Sequence, residues 1–232
     1  MKDKDYLELL SQKYPNIDDA SVEIINLKAI CKLPKGTEYF LSDIHGESEG
    51  FEYLIGTSSG VIKEKIEILF RNTLTENERI ELQILIVDTK NMINKKASKE
   101  DFNDWCRITI YRLIRICKLV TSKYTRSKIR KKMPQNFAYI LDELLQTSVE
   151  DNKENYYFSI IDSIIDVSAS EKFIISLCAL IRKCSIDRLH IVGDIYDRGP
   201  HPDKVIESIM NFNEVDMAWG NHDIHWLGAA KG

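Results

Sequence analysis

The stretch Arg188-Leu-His-Ile-Val-Gly-Asp-Ile-Tyr-Asp-Arg-Gly199 decides the fold. Its first five residues read as a short strand that runs into a glycine turn and then into Asp194. Two other stretches repeat the arrangement: Thr37 to Ser42 (TEYFLS) leads into Asp43, and Glu214 to Trp219 (EVDMAW) leads into Gly220 and Asn221. Each strand delivers polar side chains at its C-terminal end, which is where open α/β sheets hold their ligands. Crossover helices are expected from about Glu47 to Leu54 and from Asp203 to Met210.

Between the first two strands the pattern changes. None of the ten glycines falls between residues 61 and 192, and Pro134 is the one proline there, so the stretch is free of the usual breakers. Apolar residues recur at helical spacing: Ile62, Ile66, Ile68 and Leu69 in one stripe, then Ile80, Leu82, Ile84, Leu85 and Val87 in another, preceded by the capping-box pattern Thr75-x-x-Glu78. A third helix is expected after Ser98, carrying Phe102, Trp105, Cys106, Ile108, Ile110, Leu113 and Ile116, and others at about Asn136–Leu145, Asn155–Val167 and Ser170–Lys183. The expected architecture is α/β: a discontinuous core from residues 1–57 and 186–232, interrupted by a helical insertion over 58–185.

With 36 acidic against 32 basic residues in 232, the net charge of −4 argues against a nucleic-acid partner. The opening MKDKDYLELL lacks the layout of a secretory signal, and the longest apolar run, Phe173 to Ile181, is too short to span a bilayer. A cytoplasmic protein with no membrane partner is therefore expected. Cys31, Cys106, Cys117, Cys178 and Cys184 are odd in number and lack paired spacing, which suits buried thiols in a reducing compartment. One basic run, Lys123, Arg126, Lys128, Arg130, Lys131 and Lys132, reads as a solvated helix face, with an anion or effector site as the alternative.

Chemistry concentrates in three segments: Asp43-Ile44-His45-Gly46, Gly193-Asp194-Ile195-Tyr196-Asp197-Arg198-Gly199 and Gly220-Asn221-His222-Asp223. Five fixed positions in GDxxDRG arise by chance in roughly 1 in 10⁴ chains of this length, so the segments are read as functional. Carboxylate, imidazole and amide oxygen together suit Mn²⁺ or Fe²⁺, with zinc as an alternative. Two such cations bridged by a carboxylate would acidify a shared water and clamp a phosphoryl group, so hydrolysis at phosphorus is the matching reaction. Arg198 offers a planar fork to phosphate oxygens, and His222 beside Asp223 reads as a general acid with its orienting carboxylate. His190 and His201 carry no assigned role, and His225 is left unassigned.

These three motifs, in this order, resemble the calcineurin-like metallophosphoesterase superfamily. Asn221 follows Asp194 by 27 positions, as that pattern requires, whereas the 149 positions from His45 to Asp194 are far more than in its protein phosphatases and dinucleotide tetraphosphatases. The long helical interval, with YLELLSQKYP and FLSDIHGE, is similar to the class 3 fructose-1,6-bisphosphatases of Firmicutes across essentially the whole chain. The resemblance implies removal of the 1-phosphate of fructose 1,6-bisphosphate in gluconeogenesis, with two manganese ions. Asp43 and His45 would bind the first ion, Asp194 would bridge and Asn221 would bind the second. His222 would be the acid, oriented by Asp223, Arg198 would hold phosphate, and Asp197 would support the ligands rather than join them. Further histidine ligands of the superfamily follow the last motif, and only nine residues follow Asp223 here, which implies an N-terminal portion with an incomplete sandwich. A phosphoprotein or dinucleotide polyphosphate phosphatase and a non-catalytic binding module are the alternatives, and a homo-oligomer is left open.

Overall fold

The computed structural model describes residues 2–98, 101–147, 153–212 and 214–232. Two helices open the chain, α1 (Lys2–Lys13) and α2 (Ile17–Ile30), followed by β1 (Glu38–Leu41) and α3 (Ser48–Gly56). Eight helices come next: α4 (Val61–Phe70), α5 (Glu76–Val87), α6 (Thr89–Ala97), α7 (Phe102–Thr121), α8 (Arg126–Lys132), α9 (Ala138–Gln146), α10 (Glu154–Asp166) and α11 (Ser170–Ser185). The chain closes with β2 (Arg188–Val192), α12 (Pro202–Met210), β3 (Val215–Ala218) and α13 (Asn221–Lys231).

The three strands form one parallel sheet in the order β1-β2-β3, with Leu41 opposite Ile191 and Val192 opposite Ala218. Parallel pairing points all three C-terminal ends the same way, so the three polar segments emerge on one edge. Period-two alternation decides which side chains are covered. Tyr39, Leu41, Leu189, Ile191 and Val215 share a face with Phe51 of α3 and with Val205 and Ile209 of α12. On the opposite face Phe40 and Val192 remain 61% and 52% exposed, and Phe40 stacks on His190 at 4.3 Å between ring centroids. The sheet is thus covered by its own crossover helices on one side and open on the other.

The helices between α3 and β2 build a separate and larger core. α7 and α11 run through it with Ile110, Leu113, Ile114, Phe173, Leu177 and Ile181 fully buried. Thr75 caps α5 through the expected reciprocal bonds with Glu78. The apolar stripes are narrower than their sequence suggested: Ile68, Ile80 and Ile84 face solvent, and Phe70 takes the inward place at the end of α4. Four cysteines are buried free thiols, whereas Cys31 is an exposed one. Burial pushes the Cys106 thiol up to about 11, which keeps it protonated. Among the described residues, no helix is long and apolar enough to cross a membrane.

Asp187 fastens this block to the sheet. Its carboxylate meets Lys123 Nζ at 2.6 Å and accepts the Thr37 N–H at 2.8 Å, so one side chain joins the end of α7 to the starts of β1 and β2. Burial alone would raise the acid's pKa; hydrogen bonds from Lys123, Tyr124 and Thr37 outweigh it and hold it below the usual carboxylate range. A depressed carboxyl contributes stability above the unfolded value of about 4 and loses it as pH falls through the folded value. Asp187→Ala is therefore expected to cost about 3 kcal/mol at pH 7, because Lys123 would be left buried and unpaired. Urea unfolding should show this gap, and show it shrinking toward pH 3.

Candidate metal centre

Three loops meet at the C-terminal edge of the sheet, and their backbones interlock. His45 N–H donates to Asp194 O at 2.8 Å, Gly46 N–H to Ile195 O at 2.8 Å and Gly199 N–H to His45 O at 2.6 Å. A Cβ on Gly199 would run into the His45 carbonyl, and one on Gly220 into the Asp194 carboxylate, so only glycine permits these approaches. The strain is concentrated here. Asp43, His45, Asp194, Asp197 and Arg198 all adopt positive φ, at 55°, 48°, 55°, 86° and 67°, a conformation that costs non-glycine residues of order 1–3 kcal/mol each.

Asp223 holds the arrangement together. It is only 4% exposed, and its two oxygens accept four backbone N–H groups: Asp194 at 2.8 Å, Ile195 at 2.8 Å, Tyr196 at 3.1 Å and Gly220 at 2.9 Å. Burial works to raise this carboxyl, and the four amides override it to hold the group below its ordinary value. The sequence pointed to Asp223 as the residue orienting His222, but its oxygens are engaged by these amides. Asp197 stands in that position instead, with Oδ2 at 3.0 Å from His222 Nδ1 and 3.6 Å from Arg198 Nε.

Asp43, His45 and Asp194 each offer one donor atom, and these atoms lie within 4.8 Å of one another. Two carboxylates and an imidazole at this spacing fit a divalent cation with bonds of about 2.1 Å. His45 Nε2 lies 3.7 Å from Asp43 Oδ1, while its Nδ1 is buried with no hydrogen-bond partner among the described residues. Asp194 Oδ1 also accepts the His222 N–H at 3.2 Å, which draws the third loop onto the group. His222 packs edge-on against His45 at 5.5 Å between centroids. Asn221 opens α13 on the exposed side of this loop, and the Arg198 side chain is 68% exposed. His190 stands apart on the open sheet face, 3.2 Å from Asp216, and His201 contributes its backbone N–H to Gly46 O.

Asp223→Ala should leave four amide donors without an acceptor and destabilise the sheet unit by roughly 3 kcal/mol. Asp223→Asn, which keeps one acceptor oxygen, should lose less. Chemical denaturation followed through Trp219 fluorescence would read both.

A family model described as Firmicute fructose-1,6-bisphosphatase matches residues 5–232. Curated relatives named fructose-1,6-bisphosphatase class 3 are similar along the chain. One from Clostridioides difficile is 50% identical over 98% of this chain and 35% of its own length. Another, from Fusobacterium nucleatum, is 51% identical over 98% of this chain and 36% of its own, and one from Bacteroides thetaiotaomicron is 51% identical over 98% and 34%. The chain thus spans about a third of the length of the curated relatives it matches. No solved structure matches it. A family match that runs from residue 5 to residue 232, together with relatives about half identical along nearly the whole chain, makes this chain a member of the Firmicute fructose-1,6-bisphosphatase family.

Proposed function

We propose that this chain supplies part of the active site of a metal-dependent fructose-1,6-bisphosphatase of calcineurin-like type, acting in the cytoplasm. The observation that carries the reading is the convergence of Asp43, His45 and Asp194 at one edge of a parallel sheet. In this reading Asp43, His45 and Asp194 would hold manganese, with Asn221 as a further ligand. When bound, the ions supply Lewis-acid stabilisation of the transferring phosphoryl group and a nucleophile at neutral pH.

The chain's own residues complete the chemistry. Arg198, exposed and held beside Asp197, is free to meet the oxygens of the 1-phosphate with a planar fork. Removing that phosphate expels a sugar alkoxide, which needs a proton. His222 would give one from Nε2 as the imidazolium, protonated on both nitrogens, with Asp197 accepting the Nδ1–H and countering the positive charge of the ring. The preference for a sugar bisphosphate over a phosphoprotein or a dinucleotide rests on the names of the relatives, since the three loops suit any phosphate ester.

Asp194→Asn tests the reading directly, since the amide oxygen can still accept the His222 N–H and the loops stay in place. Manganese titration followed by electron paramagnetic resonance should show affinity falling at least about tenfold. Any manganese-dependent phosphate release from fructose 1,6-bisphosphate should vanish with it. Unchanged manganese binding in the variant would contradict the assignment.

A further inference from the structure

The basic run from Lys123, just past α7, through α8 is only partly spent on internal partners. Arg126 and Arg130 both reach the single carboxylate of Asp142, at 2.8 and 2.6 Å, and Lys123 takes Asp187. Lys123, Lys128 and Lys132 all lie over the ring of Tyr124, at 5.3, 4.9 and 5.2 Å from its centroid. Adding Lys118 from α7, six cations crowd this corner, and the carboxylates among the described residues that meet them are Asp142, Asp187 and Glu143. Like charges held this close raise one another's energy unless an anion sits among them.

A cavity of about 290 Å³ opens at the same place, at the ends of α7 and α9. Lys118, Arg126, Thr121, Ser122, Tyr124 and Gln146 stand in its wall, which includes no carboxylate among the described residues. At these helix ends Thr121 Oγ1 donates to Cys117 O, Ser122 Oγ to Leu119 O and Lys118 Nζ to Thr147 O. Among the described residues, the Lys118 ammonium otherwise meets only the Tyr157 ring, and burial lowers its affinity for its own proton. Arg126 uses two of its five N–H groups on Asp142, and its side chain is 54% exposed.

We propose that the cavity between the ends of α7 and α9 is a binding site for a small anion bearing phosphate or carboxylate groups, held by Lys118 and Arg126. The site belongs to the helical block and is built from none of the residues of the metal centre.

Inorganic phosphate is the probe, titrated calorimetrically into the metal-free protein in chelator at constant ionic strength set with chloride. Saturable binding is expected, weakened at least about tenfold in Arg126→Gln, which corresponds to about 1.4 kcal/mol. That variant should fold, because Arg130 still pairs with Asp142. Lys118→Gln should weaken binding similarly. Absence of saturable binding, or binding undiminished in Arg126→Gln, would overturn the proposal.

Discussion

The carboxylate of Asp223 is the constraint on which the metal centre depends. Three strand-end loops would not gather unaided, since each exposes backbone donors and those after β1 and β2 adopt costly left-handed conformations. One buried carboxylate that accepts four N–H groups supplies the compensation. It binds the turn after β2 to the turn after β3, and the bonds from His45 and Gly46 to Asp194 and Ile195 bring in the turn after β1. The backbones that carry Asp43, His45 and Asp194 are consequently held in place relative to one another.

This order of causes separates the two cores by role. The helical block is closely packed and strongly apolar, and its stability comes from buried side chains of α7 and α11. The sheet unit is small, has one face open and keeps its strain at the edge where the loops meet. Asp187 and Lys123 join the two where the strands begin, opposite the end where chemistry is placed. Such an arrangement lets the site be irregular while the strand starts stay fixed. The exposed Phe40 and Val192 lie on the face that the crossover helices leave open, in a chain about a third as long as its relatives.

Much of this was legible in the sequence because glycine and short strands leave a plain signature. The strands expected over Thr37–Ser42, Arg188–Val192 and Glu214–Trp219 form over Glu38–Leu41, Arg188–Val192 and Val215–Ala218, and the crossover helices and the Thr75 cap were likewise expected from pattern. The helix over Thr89–Ala97 was not, because its polar composition hides the buried Met92 and Ile93 that hold it. Ile68, Ile80 and Ile84 were expected inward, and tertiary packing left them outside because neighbouring stripes already fill the core. Within the site, the structure brings Asp43, His45 and Asp194 together and places Asp223 differently from the expectation. Asp223 adjoins His222 in the chain, yet the first turn of α13 aims its carboxylate back at the amides after β2, and Asp197 from a different loop meets the imidazole. Adjacency in sequence does not convey side-chain direction at a helix start. The basic run, likewise, gave no hint in sequence that Asp142 and Asp187 would claim part of it.

The central claim is that these three loops form a cation site whose donors are Asp43, His45 and Asp194. Diffraction at the manganese absorption edge, from crystals of the protein grown with manganese, tests it most directly. An anomalous peak within bonding distance of those three side chains is the predicted result. A peak elsewhere on the molecule, with none between these loops, would contradict it.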